Sequence, residues 1–261
     1  MTKIAFVSCA NVEKRKLQPA WDHIAASAPD LLLLLGDNTY MNWVETKWEP
    51  DRLLANYEAQ FQIKAFKDLI HSVPTLAIWD DHDLGPNDSC GGAMADEQVK
   101  LSRSYFDKYL AVAINNNRPH MYCTHDIGDV RVIMLDVRTY RTLSSAPAAT
   151  VLGAAQEQWL WDQLALNPKP YTIVASGSVS NRGASGHKLT DYKQFWQRLR
   201  NELSHVPPKP DPKSNRKVLF LSGDIHNNRW KSWGGFFEAT SSGVACVAKE
   251  QNLPTDNCAC R

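Results

Sequence analysis

Short apolar runs alternate along the chain with longer stretches whose apolar residues recur every three or four positions. Six runs have the length and continuity of buried strands, and further strand-like segments lie in 121–127 and 236–247; the six are 4–8, 31–35, 75–79, 130–135, 172–175 and 218–221. Helical spacing occupies 19–28, 51–71, 96–110, 154–166 and 190–204. Strands that are apolar at nearly every position are typical of sheets covered on both faces, so the pattern predicts an α/β protein.

The length of the chain fits one domain. It has 261 residues, with no fixed-period repeat and no low-complexity segment. The proline-rich stretch 206–217 has the composition of a surface loop and does not divide the sequence clearly. We therefore expect residues 1–261 to form a single domain, large enough to bury its core without disulfides.

The net charge and the hydropathy of the chain argue against a nucleic-acid-binding surface and against a membrane-spanning helix. The net charge is only +1, which argues against a broad basic surface for nucleic acid. The longest purely aliphatic run, 31–35, is far shorter than the roughly 20 residues that cross a bilayer. The first residues run straight into a strand without the features of a secretory signal, so we expect a cytoplasmic protein, or an exported one if a leader has been removed. The six scattered cysteines are expected to be mostly free thiols. The oligomeric state stays open.

Acidic, imidazole, thiol or guanidinium side chains directly follow five of the predicted strands. They are Cys9 after the first, Asp37 after the second, Asp80 to Asp83 after the third, Asp136 and Arg138 after the fourth, and Asp224 and His226 after the last. Ligands bind at the carboxyl ends of strands in α/β sheets, and a buried carboxylate is costly unless it is paired or holds a metal. One such acid usually caps a helix, but acids after four strands require a joint explanation. The residue types predict a metal cluster, in which Asp37 is a suitable bridge between two metals.

Three motifs stand in the order of a known superfamily. Gly-Asp-x-x-Tyr at 36–40, Trp-Asp-Asp-His-Asp at 79–83 and Ser-Gly-Asp-x-His at 222–226 resemble the calcineurin-like metallophosphoesterases. Further matches, among them Ser-Cys at 8–9, Leu-Asp-Val-Arg at 135–138 and Thr-Ser-Ser-Gly at 240–243, bring the chain closest to the alkaline phosphatase D (PhoD-type) branch. The resemblance implies a calcineurin-like phosphoesterase fold, in which helices flank two stacked mixed β-sheets in an αββα sandwich.

The resemblance also implies a set of metal ligands: Cys9, Asp37, Tyr40, Asp81, Asp224 and His226. Cys9 and Tyr40 would hold Fe³⁺, and Ca²⁺, Mn²⁺, Zn²⁺ or Mg²⁺ would occupy a second position on the Asp81 side. The alternatives are a buried apolar cysteine and a core tyrosine. Asp80 is either a further ligand or a supporting acid. The superfamily's single histidine ligand after the fifth strand has no clear counterpart, and His187 is the nearest histidine.

The remaining site residues follow from the same resemblance. His82 is expected to face the phosphate and to donate to the leaving oxygen, with Asp83 orienting it. Arg138 is expected near the phosphate, with an ion pair to Asp136 or another nearby acid as the alternative. The predicted substrate contacts are Arg138, Arg141, Asn227 and Arg229, the last two in a loop.

The implied function is metal-dependent hydrolysis of small-molecule phosphate esters. A hydroxide bridging two metals would attack the phosphorus in line. Both monoesters and diesters are expected as substrates. The alternative is a binding or scaffold protein that keeps the fold without catalysis.

Overall fold

The computed structural model describes residues 2–42, 46–116, 118–181, 188–204, 217–233 and 236–245. The strands are β1 (Ile4–Val7), β2 (Leu31–Leu35), β3 (Thr75–Ile78), β4 (Cys123–Ile127), β5 (Val130–Leu135), β6 (Tyr171–Ser176), β7 (Lys217–Ser222), β8 (Arg229–Trp233) and β9 (Phe236–Thr240). The α-helices are α1 (Ala20–Ala26), α2 (Pro50–Phe61), α3 (Lys64–Ser72), α4 (Asp81–Leu84), α5 (Asp96–Tyr109), α6 (Gly153–Ala165) and α7 (Lys193–Ser204). Two 3₁₀ turns lie at Gly91–Ala93 and Leu189–Asp191.

The strands form two sheets. The smaller sheet has the order β1-β2-β3 and is parallel throughout its described strands. The larger sheet has the order β4-β5-β6-β7-β9-β8, with parallel pairing from β5 to β9 and antiparallel strands at both edges. The carboxyl ends of β1, β2 and β3 therefore lie along one edge of their sheet, and those of β5, β6, β7 and β9 along one edge of the other.

Three apolar clusters mark the layers of the fold. Side chains that alternate along each strand point to opposite faces, so β2 places Leu31, Leu33 and Leu35 between the sheets and turns Leu32 and Leu34 toward α1, α2, α3 and α5. On the larger sheet, the outer face packs against α6 and α7. The result is the predicted sandwich of two sheets between helical layers.

Two elements differ from the predicted ones. The helical stretch 51–71 is interrupted because Ile63 adopts an extended conformation (φ −71°, ψ 104°) between α2 and α3. Strand β8 was predicted as loop at Arg229 and Trp230, because an edge strand that alternates charged and aromatic residues has no continuous apolar run.

The prediction of free thiols is confirmed for the three described cysteines, Cys9, Cys90 and Cys123, all of which are buried. Among the described residues, no helix combines the length and the apolar character that a membrane crossing requires. His187 lies outside the described residues.

Candidate metal centre

Four of the six predicted metal ligands have left-handed backbone conformations. The angle φ is 66° at Cys9, 50° at Asp37, 73° at Asp224 and 53° at His226. Residues other than glycine rarely adopt such angles, which cost about 1–3 kcal/mol each and cluster at functional sites. Each of these residues follows the carboxyl end of a parallel strand, so the strained turns direct their side chains to one place between the sheet edges.

One cluster of donors forms around the carboxylate of Asp37. The thiol of Cys9 lies 3.3 Å from Asp37 Oδ2, and the Tyr40 hydroxyl donates to the same oxygen at 3.0 Å. The Tyr40 oxygen is also 3.1 Å from His226 Nε2. Sulfur, carboxylate, phenol and imidazole, contributed by three separate segments of the chain, thus meet in one buried spot. The cluster contains four predicted ligands in the combination that suits a transition metal.

Asp37 also faces a second group of acids. Ligand atoms of Asp80, Asp81 and Asp224 lie within 4.8 Å of one another, and Asp37 and Asp81 form a further group of this kind with His82. Asp37 Oδ1 is buried and has no hydrogen-bond partner among the described residues, while Oδ2 serves the first cluster. A buried oxygen without a partner costs free energy. A bridging position between two cations, one on each side of Asp37, fits this arrangement.

The pKa shifts of the clustered side chains are those expected of groups that bind cations. Burial raises the pKa of Asp37 well above its usual value, and the neighbouring acids raise it further. Burial and the nearby acids also raise the pKa of Asp224, while burial and Asp37 raise that of the Cys9 thiol. Burial lowers the pKa of His226 to about 4. A histidine held neutral can act as a ligand, and bound cations would offset the repulsion that disfavours the ionised acids and thiol. The residues therefore fit a two-metal site.

His82 lies at the edge of both clusters. Its ring packs against that of Tyr40, tilted by 32° with 4.1 Å between ring centres, and its Nε2 is 4.0 Å from Asp81 Oδ2. Burial lowers the pKa of His82, although Asp81 opposes the shift. The structure thus brings His82 to the site as predicted. Its ring nitrogen is close enough to Asp37 and Asp81 to be a ligand as well, which the sequence did not predict.

The predicted role of Asp83 does not agree with its contacts. Its carboxylate accepts hydrogen bonds from the backbone and side chain of Asn38, from the backbone of Asp80 and from the Tyr57 hydroxyl. None of these donors belongs to His82, the expected partner. Asp83 instead ties the turn after β2 to the turn after β3, because its position in the short helix α4 brings it under Asn38.

Arg138 is an internal ion-pair partner. It is 0% exposed, and its guanidinium donates from Nε to Asp80 Oδ1 at 2.5 Å and from Nη2 to Asp80 Oδ2 at 3.0 Å. A third bond reaches Asp81 Oδ1 at 3.2 Å. Although burial raises the pKa of Asp81, the adjacent Arg138 holds it well below its usual value. The expectation that Arg138 grips phosphate directly is at odds with this burial, and its alternative, an ion pair with a nearby acid, describes the contact.

The other two predicted arginines are also engaged within the protein. Arg141 is 1% exposed and donates to Ser178 Oγ at 3.1 Å. Arg229 begins strand β8 and points its guanidinium at Glu238, 3.4 Å away. The burial of Arg141 and the ion pair of Arg229 with Glu238 are at odds with an open phosphate clamp at either residue. Asn227 lies, partly buried, in the turn after β7, and its contact with substrate stays a prediction.

Asp136 is the strand-end acid that faces away from the site. Its Oδ1 accepts from Trp79 Nε1 at 3.0 Å and from the backbone of Arg138 and Thr139 at 3.1 and 2.9 Å. The carboxylate of Asp136 thus stabilises the turn that follows β5.

Several supporting residues were not predicted as part of the site. Ser242 Oγ lies 3.0 Å from Cys9 Sγ and accepts from the backbone of His226 at 2.8 Å, so it joins two ligand segments. The Thr-Ser-Ser-Gly match at 240–243 was a signal for it. Ser178 and Glu238 carried no signal, since a serine loop and a buried glutamate on a strand belong to no motif.

The solved structures that this chain resembles define the class of protein. A structure of PhoD aligns with a TM-score of 0.70 at 20% identity and covers 94% of this chain and 56% of that one. A dimetal phosphatase from Danio rerio aligns with a TM-score of 0.62 at 13% identity and covers 95% and 89%. At these identities the likeness establishes the fold, which is the calcineurin-like phosphoesterase fold.

The family follows from the sequence itself. The profile of the PhoD-like phosphatases matches residues 4–246, so the chain belongs to the PhoD-like phosphatase family. It is 25% identical to alkaline phosphatase D of Bacillus subtilis (strain 168) over 283 aligned positions, covering 92% of this chain. The chain spans about half the length of that relative, 48%.

Proposed function

We propose that this chain hydrolyses small-molecule phosphate esters with the help of two bound metal cations, accepting both monoesters and diesters. The observation that carries the proposal is the convergence of Cys9, Asp37, Tyr40 and His226, which contacts of 3.0 to 3.3 Å link from one to the next, beside Asp81 and Asp224. Membership of the PhoD-like phosphatase family supports the reaction class. A scaffold without catalysis would not need to retain this costly buried set of acids.

The chemistry of the donors suggests which cations bind. Cys9, Tyr40 and His226 on one side of Asp37 offer sulfur, phenol and imidazole, which suit Fe³⁺. Asp81 and Asp224 on the other side offer oxygen donors, which suit Ca²⁺, Mn²⁺ or Mg²⁺, while Zn²⁺ accepts carboxylates as well. When bound, the two cations would polarise the phosphoryl group and make the attacking water more acidic.

The residues of the chain do three things around such a substrate. Asp37, held in a left-handed turn, would be a ligand of both cations. The ring of His82, supported by its tilted contact with the ring of Tyr40, would present an N–H toward the oxygens that gain charge during the reaction. Asn227, partly buried in the turn after β7, is the further proposed contact to the ester. Arg138 is engaged with Asp80 and Asp81 inside the protein, so the bound cations would supply much of the positive charge for the phosphate.

The test is a comparison of two aspartates that both follow a strand. Asp37→Asn replaces one oxygen of the proposed bridging carboxylate with an amide nitrogen, which is not a metal ligand. Asp136→Asn makes the same change in a carboxylate that accepts hydrogen bonds from Trp79 and from the backbone of its own turn. Hydrolysis of p-nitrophenyl phosphate and of bis(p-nitrophenyl) phosphate is measured after reconstitution with metal. We expect Asp37→Asn to abolish both activities and Asp136→Asn to keep them within a few-fold. Wild-type protein that folds, binds metal and hydrolyses neither ester would contradict the proposal.

A further inference from the structure

Asp80 and Asp81 are adjacent in sequence, and both lie in the acidic group beside Asp37. Distance alone therefore admits both as ligands of the second cation. Their hydrogen bonds distinguish them. Asp81 accepts one bond from Arg138 Nη2 at 3.2 Å on Oδ1 and one from the backbone of Asp88 at 2.6 Å on Oδ2. Asp80 instead receives both arms of the Arg138 guanidinium.

The carboxylate of Asp80 is nearly saturated by protein donors. Oδ1 accepts from Arg138 Nε at 2.5 Å and from Ser178 Oγ at 3.3 Å, and Oδ2 accepts from Arg138 Nη2 at 3.0 Å. Three of the roughly four acceptor positions of a carboxylate are thus used. Ser178 in turn accepts from Arg141 Nη2 at 3.1 Å, so a second buried guanidinium supports the same acid.

The surroundings of Asp80 leave no freedom for it to turn. A Cβ placed on Gly36 would come within 2.5 Å of Asp80 Cβ, and one on Gly177 would come within 2.7 Å of its carboxylate carbon. Only glycine fits at either position. The backbone before Asp37 and the loop after β6 therefore both close directly on Asp80. A fork-to-fork ion pair that is 0% exposed at both residues holds it there.

We propose that Asp80 is a positioning residue and not a metal ligand. Arg138 takes its carboxylate out of the donor set, so the second cation is held by Asp37, Asp81 and Asp224. The Asp80–Arg138 pair fixes the Gly36–Asp37 turn on one side and Asp81 on the other. Asp80 also contacts the loop after β6, which carries Gly177 and Ser178. The inference rests on the proposed two-metal function.

The charges around Asp80 favour a positioning role for Asp80 and a ligand role for Asp81. A cation at the second position and the guanidinium of Arg138 would compete for the same two oxygens of Asp80, which already bond to the arginine at short distances. Removing one partner of a buried ion pair leaves an unpaired buried charge, and this is far costlier than removing both together. The pair must therefore be tested as a unit as well as singly.

The experiment counts metal ions. Wild type, Asp80→Asn, Asp81→Asn and the double variant Asp80→Asn/Arg138→Gln are each titrated to saturation with metal, and bound metal per chain is determined by elemental analysis. Asp81→Asn is the matched control, since it changes the neighbouring acid in the same way. We expect Asp81→Asn to lose one equivalent, and Asp80→Asn to keep the wild-type number with metal affinity about 10- to 100-fold weaker, as is typical of residues that support ligands.

The double variant separates positioning from ligation if the single variant fails to fold. It removes both partners of the Asp80–Arg138 pair, although Asp81 also loses its bond from Arg138 Nη2, and we expect it to bind the wild-type number of metal ions. Loss of one equivalent in Asp80→Asn, or in the double variant, would overturn the assignment. A wild type that binds no metal would instead overturn the proposed function, so the two failures are distinguishable.

Discussion

Replacing His82 tests whether this residue acts on the substrate or on a metal. His82 is 3% exposed, its ring contacts that of Tyr40 with 4.1 Å between ring centres, and one ring nitrogen lies near both Asp37 and Asp81. His82→Gln keeps a polar side chain of similar length and avoids a large cavity. Loss of the aromatic contact costs about 0.5–1.5 kcal/mol of stability, which a folded protein of this size tolerates.

The expected kinetic effect is larger than the effect on stability. A group that donates to the oxygens of the reacting phosphate contributes about 10²- to 10⁴-fold to the rate. At 1.36 kcal/mol per tenfold, this is about 3–5 kcal/mol of transition-state stabilisation. We therefore expect kcat to fall by two to four orders of magnitude, with KM changed much less. The fall should be greater for an alkyl phosphate than for p-nitrophenyl phosphate, because the poorer leaving oxygen depends more on donation.

The assay combines steady-state kinetics on both esters with metal content and thermal unfolding. His120→Gln is the control, since His120 is exposed and lies outside the clusters of the metal centre. Full activity in His82→Gln would remove the residue from the mechanism. Loss of one metal equivalent would show that His82 is a ligand and that the assignment as a substrate contact is wrong.

Three further predictions concern packing, backbone and colour. Leu33→Ala, in the fully buried layer between the sheets, should cost about 2–5 kcal/mol and lower Tm by several degrees or more in calorimetry. Gly36→Ala should weaken metal binding in a competition assay, because the new methyl group would meet Asp80 at 2.5 Å; Gly128→Ala, whose φ is also positive at +53°, is the control at a distant hairpin. Tyr40→Phe should abolish a visible charge-transfer band of the iron-loaded protein if the phenolate binds Fe³⁺, and an unchanged absorption spectrum would exclude that bond.

The convergence of the predicted metal ligands could be foreseen because the signal for each is local. Cys9, Asp37, Asp81 and Asp224 each come just after an apolar strand, and the topology brings those strand ends together. Asp136 also follows a strand but is not among the predicted ligands, and nothing in its own segment shows that its carboxylate accepts from the indole of Trp79, 57 residues away.

The arginines and Asp83 could not be assigned from the sequence because long-range partners decide their roles. Arg138 meets Asp80 across 58 residues, and Asp83 meets Asn38 across 45. A buried guanidinium pairs with an acid that the fold brings next to it, and the motif that contains the arginine does not predict which acid that is. The layered fold was easier to predict from the sequence, because strands that are apolar at every position must be covered on both faces. Strand β8 has no such pattern, because it is an edge strand of mixed composition.

Metal stoichiometry tests the central claim most directly. Purified wild-type protein is analysed for bound metals by elemental analysis, before and after reconstitution with iron and a divalent cation. Two equivalents per chain, with Asp37→Asn losing both, are the expected result, because Asp37 faces both donor groups. A folded wild-type protein that binds no metal under any of these conditions would contradict the account.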